Sequence, residues 1–89
     1  MAFVGEVQCV TTIKFFAYLI QKTGMEETKL NLSGCSTVGE ARELISSEFP
    51  EIALDLAKCM LAVDMTFRQD DELLDAPREV AVIPPVSGG

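Results

Sequence analysis

The sequence predicts one α+β domain, a mixed sheet of four to five strands packed on one main helix with short helices beside it. Three observations lead there. Stretches of apolar residues at two-residue spacing stand toward both ends of the chain. One capped segment in the middle carries apolar side chains at helical spacing. The length, 89 residues, allows a single modest core and no second domain, since a chain of this size buries roughly 60–65% of its unfolded surface.

Val7 to Phe16 reads as the first strand. Val7, Cys9, Thr11, Ile13 and Phe15 share one parity, and Gln8, Val10, Thr12, Lys14 and Phe16 the other. Both faces carry apolar groups, as a central strand requires. Ala17 to Thr23 is expected as a short helix, with Gly24 as its left-handed stop. Glu26 to Leu32 alternates Thr28, Leu30 and Leu32 with Glu27, Lys29 and Asn31 as a second strand.

The loop Ser33-Gly34-Cys35-Ser36 leads into the main helix. Thr37 and Glu40 form a capping box, and Val38, Ala41, Leu44, Ile45, Glu48 and Phe49 follow at helical spacing until Pro50 ends it. Glu51 to Lys58 predicts a second short helix. Cys59 to Asp64 is a strand, hairpinned through Asp64-Met65 to Thr66-Phe67-Arg68. The acidic stretch Gln69 to Arg78 is a loop, with one turn expected around Leu73 and Leu74. Glu79 to Ile83 is the last strand, and Pro84-Pro85 stops the ladder because proline has no N–H to donate. A first hairpin, a crossover helix and a last strand returning beside the first is the ubiquitin-like β-grasp pattern. Residues 1–89 thus form one such domain, with 84–89 an extended, flexible C-terminal tail.

Composition narrows the function. Seven Lys plus Arg against fourteen Asp plus Glu give a net charge of −7, which argues against nucleic acid and anionic membranes. No apolar run approaches the roughly 20 residues of a membrane span, and the N-terminus lacks a basic signal-peptide start. There is no histidine, so the commonest general base and metal ligand is missing. Cys9, Cys35 and Cys59 are scattered, odd in number and without a CxxC pair, so neither a metal site nor a disulfide framework is expected. Cys9 and Cys59 read as buried small residues and Cys35 as an exposed loop side chain. Cytoplasmic (cytosolic) residence fits this cysteine usage. Nearly half the residues are apolar, 48%, which excludes disorder and suggests a greasy surface kept for a partner.

Charge is distributed unevenly. Residues 64–79 hold six acids and two arginines, whereas residues 80–89 carry no charged side chain. Two prolines stiffen the exit from the last strand into an extended path, along which Pro84, Pro85, Val86, Ser87 and Gly88 lead to Gly89. A Gly88-Gly89 end has no Cβ to obstruct passage through a narrow channel to a nucleotide's α-phosphate. A carboxylate becomes an acyl donor only once activated, and adenylation by a separate ATP-using enzyme would do it, because this chain lacks a phosphate-binding loop. The Gly89 acyl group can then pass to sulfur, giving a thiocarboxylate, or to an amine. The chain reads as a carried substrate without catalytic residues of its own, and no cofactor is expected to be bound permanently.

Ile13-Lys-Phe-Phe-Ala17, Ala62-Val63 with the turn after it, and above all Glu79-Val-Ala-Val-Ile-Pro-Pro-Val-Ser-Gly-Gly89 resemble the small subunits of molybdopterin synthase, a family of ubiquitin-like sulfur carriers. The resemblance spans residues 7–89. Asp64, where many relatives have Asn, and Ala76-Pro77-Arg78, in place of a Gly-Asp turn, depart from it. The resemblance implies adenylation of Gly89 by a ubiquitin-activating-like adenylyltransferase, and sulfur from a sulfurtransferase. The tail would then enter the large catalytic subunit of molybdopterin synthase, in a two-plus-two heterotetramer. There, successive carriers would convert cyclic pyranopterin monophosphate to the dithiolene of molybdopterin.

If Phe15, Val80 and Val82 face the helix, Phe16 and Ile83 lie on the outer face, and Phe67 joins them as a partner patch. Apolar groups at matching strand positions serve the family's interface. Arg42 reads as part of a solvated helix face or of an Arg–Glu pair. Three other readings remain: a thiamine-pathway sulfur carrier, a ubiquitin-related modifier forming lysine conjugates, and an adaptor whose acidic face binds a basic partner.

Overall fold

A computed structural model describes residues 10–85. Val7, Cys9 and the tail residues Val86, Ser87, Gly88 and Gly89 therefore lie outside the described residues.

The first strand, β1 (Val10–Phe15), turns Thr11, Ile13 and Phe15 inward and leaves the other parity outward. After it comes α1 (Tyr18–Thr23), where Gly24 at φ 79° donates its N–H to Ile20 O at 2.8 Å and so provides the left-handed stop. The antiparallel strand β2 (Glu27–Asn31) is one residue shorter at each end than its alternation suggested.

The main helix, α2 (Val38–Glu48), starts at the expected cap. Thr37 Oγ1 accepts from Glu40 N at 3.2 Å, while Glu40 Oε1 accepts from Ser36 N at 2.6 Å, so the box closes one residue early. The next two free amides find carbonyls in the acidic loop: Val38 N donates to Glu72 O at 3.0 Å and Gly39 N to Asp70 O at 2.9 Å. Gly39 permits that approach, for a Cβ there would stand 3.2 Å from Asp70 O. Acidic sequence thus lies over the helix start with its backbone oxygens turned to the orphan N–H groups.

Pro50 ends α2 and begins a 3-10 turn (Pro50–Ile52), followed by α3 (Ala53–Leu56). These two pieces replace the single short helix expected over 51–58. The hairpin of β3 (Met60–Val63) and β4 (Thr66–Arg68) turns through Asp64 and Met65 as anticipated, at φ 48° and 72°. Positive φ at both central residues matches the twist of the flanking strands. The last strand, β5 (Glu79–Ile83), lies parallel to β1 and antiparallel to β3, giving the order β2-β1-β5-β3-β4.

Ile13, Phe15, Leu19, Val38, Ile45, Ile52, Leu56, Leu61, Val80 and Val82 fill the core between sheet and helices, and Phe15 meets Phe49 edge-on at 5.1 Å. Thr11, the one buried polar side chain among the described residues, donates to Pro77 O at 2.8 Å.

Two expectations are corrected. The turn in the acidic loop falls at residues 69–72, where Glu72 N donates to Gln69 O at 3.0 Å, and not around Leu73 and Leu74. Leu73 instead bridges to Thr37, and Leu74 N donates to Ser36 O at 2.9 Å. Arg42 makes specific contacts. Its Nη1 donates to Cys59 O at 2.8 Å and to Leu56 O, and its Nη2 bonds Asp70 Oδ1 at 2.8 Å. The partner is Asp70 rather than a glutamate, because the 69–72 turn folds back onto α2.

Candidate functional site

Parallel pairing of β1 with β5 sends the C-terminal segment out of the sheet where β1 also ends. The last paired residues are Phe15 and Val82, both buried against the helices. By strand parity the next residues, Phe16 and Ile83, stand on the opposite, outer face. Phe16 is 42% exposed and Ile83 is half-buried. Of the described tail residues, Pro84 is buried and Pro85 exposed.

Antiparallel register supplies the rest of this face. Met60 lies opposite Ile83, while Ala81 pairs with Ala62 and Ala62 with Phe67. Phe67 is 56% exposed and Met60 51%. Ala62 and Ala81 point outward yet are only 6% exposed, since their larger neighbours shade them. The result is a shallow apolar surface with a low alanine floor, bounded by Phe16 and Ile83 at the tail exit and by Phe67 on the edge strand. The three residues expected as a patch thus share one face. Met60 was missed. Its signal was the β3–β5 register, which a strand assignment without pairing does not provide.

Charge marks the border. Lys14 Nζ meets Glu79 Oε1 at 3.3 Å on the outer face. Asp64 Oδ1 accepts from Arg78 N at 2.9 Å and from Glu79 N at 3.0 Å, tying the hairpin turn to the start of β5. Next to Met60 and Phe67, a groove of about 370 Å³ runs past Cys59, Arg68 and the Arg42–Asp70 pair. Those cations are already engaged, Arg42 as described and Arg68 with Glu72 at 3.5 Å.

The two described thiols do not resemble activated nucleophiles. Burial raises the Cys59 thiol above its ordinary range, Asp55 adds to this and Arg42 partly offsets it. Cys59 is buried, as expected. Cys35 is half-buried rather than exposed, and burial followed by Glu40 raises its thiol too. It lines a separate pocket of about 190 Å³ with Thr11, Leu32, Leu74 and Pro77, at the opposite end of the sheet from the tail exit. Among the described residues, no three His, Cys, Asp or Glu side chains gather as a metal site, and no helix is long and apolar enough to cross a membrane.

The ThiS family matches residues 13–89, a stretch that includes the terminal Gly88-Gly89. The chain belongs to the ThiS family. One relative of this ThiS-family chain, the molybdopterin synthase sulfur carrier subunit of Caenorhabditis briggsae, is 30% identical over 79 residues, covering 86% of this chain and 94% of that protein. Among solved structures, a putative molybdopterin converting factor subunit 1 from Pyrococcus furiosus superposes with a TM-score of 0.73 at 25% identity, over 86% of this chain and 98% of that one. SAMP1 from Haloferax volcanii gives 0.73 at 23% identity, over 90% and 99%. Subunit 1 and 2 of the molybdopterin-converting factor from Helicobacter pylori were solved as a complex, and a chain of it matches at 0.60 and 20% identity, over 90% and 99%. The shared fold is the ubiquitin-like β-grasp.

Proposed function

We propose that this ThiS-family chain is the sulfur-carrying small subunit of a molybdopterin synthase, with Gly89 as the acceptor and donor of sulfur. The observation that carries the reading is a Pro-Pro-Val-Ser-Gly-Gly sequence without charged side chains directly after β5, inside the family match, with β5 itself ending beside the apolar outer face. The family shown by the 30% identical relative supports the pathway.

The chemistry begins with a Gly89 carboxylate oxygen attacking the α-phosphate of ATP in an activating enzyme, and pyrophosphate leaves. A sulfurtransferase persulfide then displaces AMP from the acyl carbon to give an acyl disulfide, and a second thiol cleaves that disulfide, pairing with the sulfurtransferase sulfur and leaving the thiocarboxylate. The outer face, with Phe16, Met60, Phe67 and Ile83, docks on the large catalytic subunit while Pro84, Pro85, Val86, Ser87 and Gly88 extend into its active site. There the thiocarboxylate gives up its sulfur to cyclic pyranopterin monophosphate, and the carboxylate is regenerated. Two carriers in turn complete the dithiolene, which a two-plus-two assembly in the cytosol serves. The partners supply the acid–base groups, consistent with a chain that has no histidine.

A modifier role keeps the adenylation step but ends on a lysine amine. The likeness to SAMP1 favours it as the second reading. Both readings are tested by reconstituting molybdopterin synthesis from the large subunit with three forms of this chain loaded by the activating enzyme and a sulfur source. Wild type is expected to give product. A chain lacking Gly89, and one with a residue appended after it, are expected to fold normally and give none. Product from either variant overturns the proposal, and lysine conjugates without molybdopterin establish the modifier reading.

A further inference from the structure

Among the described residues the sheet is bordered by two strands paired on one side only, β2 and β4. β4 spans three residues and belongs to the apolar face described above. β2 spans five, with Glu27, Lys29 and Asn31 exposed. Its pairing with β1 fixes which backbone groups are already engaged. Phe15 N donates to Glu26 O at 2.8 Å, so in this antiparallel ladder Glu26, Thr28 and Leu30 bond to β1. Thr12 N, of the other parity in β1, donates instead to Arg78 O at 2.9 Å, on the β5 side. The N–H and C=O groups of Glu27 and Lys29 therefore point off the free edge, open to another strand.

Charge selects the strand that fits. Glu27 and Lys29 flank Thr28 on the same face of the edge, and neither is in an ion pair among the described residues. An acid and a base two residues apart are complementary to the same sequence run backwards. In a two-fold antiparallel pairing centred on Thr28, Glu27 of one copy faces Lys29 of the other, and the reverse. Both residues bear free backbone groups, so these become the hydrogen-bonded pairs, each exchanging both N–H···O bonds beneath an ion pair. Thr28 then meets its counterpart in the close, non-hydrogen-bonded position, where threonine hydroxyls bond across strands. Other registers are worse. Centring on Lys29 sets that lysine against itself. Centring on Leu30 runs into the turn in which Ser33 N donates to Asn31 Oδ1 at 2.9 Å.

We propose that β2 is a self-association edge: two copies of this chain join through β2, antiparallel about Thr28, so that the sheet of one continues into the other. The two-fold axis reverses strand direction. The two β5 ends therefore lie at opposite ends of the joined sheet, and the face bounded by Phe16, Ile83 and Phe67 stays open in both copies. The proposal is independent of the sulfur-carrier reading. One short strand on each side makes a small contact, and each copy carries a net charge of −7. Association is therefore weak, with a Kd of about 0.1–1 mM at physiological salt, where the net repulsion is screened beyond about 8 Å.

The test is sedimentation equilibrium of the full chain over about 0.05–2 mM, with amide chemical shifts followed over the same range. Wild type is expected to approach a dimer, with shifts concentrated at residues 26–30 and none at Thr66–Arg68. Glu27→Lys and Lys29→Glu each set like charges opposite one another and should self-associate at least about tenfold more weakly. Mixed in equal amounts, the two variants are complementary again and should pair as wild type does. Melting temperatures within a few degrees of wild type establish that both variants fold; the wild-type shifts decide the matter without them. A wild type that stays monomeric, shifts centred on another strand, or variants that self-associate unchanged would each refute the β2 edge, and a mixture that fails to pair would refute its register.

Discussion

Replacing Arg42 by alanine tests what joins α2, α3 and β3. The Arg42 side chain is only 18% exposed and its guanidinium serves three partners: Leu56 O, Cys59 O and the Asp70 carboxylate. Removing it leaves two part-buried carbonyls without a charged donor, at about 1–1.5 kcal/mol each. The ion pair adds little, about 0.5–1 kcal/mol, because the Asp70 side chain is 55% exposed. Arg42→Ala should therefore cost about 2.5–4 kcal/mol in total, a large share of the stability of a small domain. The melting temperature should fall by about 10–25 °C. Asp70→Ala removes only the ion pair and should cost about 0.5–1 kcal/mol. Urea denaturation followed by far-ultraviolet circular dichroism is the suitable assay, since the chain has no tryptophan and one tyrosine. Equal losses in the two variants, or an Arg42→Ala loss below about 0.5 kcal/mol, would refute the claim that the carbonyl bonds outweigh the ion pair.

Other consequences are open to direct measurement. Met65 is 88% exposed at φ 72° in the β3–β4 turn, so Met65→Gly should stabilise the fold by about 0.5–1 kcal/mol in the same urea assay. Phe67→Ala and Met60→Ala should change stability by no more than about 0.5 kcal/mol, because both side chains are mostly in solvent, while weakening capture of the large subunit in a pull-down. Cys59 and Cys35 are raised by burial, and Lys22 is raised by its hydrogen bond to Asp55. All three hold their protons more tightly when folded, so their contribution is complete below the unfolded values and is lost as pH rises through the folded ones. Thermal unfolding should therefore be insensitive to these groups near neutrality and decline above about pH 9.

Most of the fold was legible because its signals are local. The Thr37–Glu40 cap, the Gly24 stop and the alternation of the terminal strands each follow from the conformational preferences of a few neighbouring residues. The apolar outer face was legible in part, since the placement of Phe16 and Ile83 follows from parity alone. Met60 needed the β3–β5 register, which is a tertiary fact. Arg42 and the 69–72 turn were misread for a related reason. A charged residue on a helix and an acidic loop both look solvated until the loop folds over the helix start, where backbone oxygens rather than carboxylates satisfy the first amides. The left-handed backbone of Ala17, at φ 56°, left no sequence signal, because alanine carries no marker for positive φ. Gly88 and Gly89 lie outside the described residues, and the role read from them rests on their place in the sequence and inside the family match.

The central claim is that Gly89 carries sulfur. Intact-mass spectrometry of the chain after incubation with its activating enzyme, ATP and a sulfur source, with fragmentation of the C-terminal peptide, tests it most directly. The expected result is a terminus with one oxygen replaced by sulfur, localised to Gly89, and absent when ATP is withheld. An unchanged mass under conditions that load another ThiS-family carrier, or sulfur found on a cysteine instead, would contradict it.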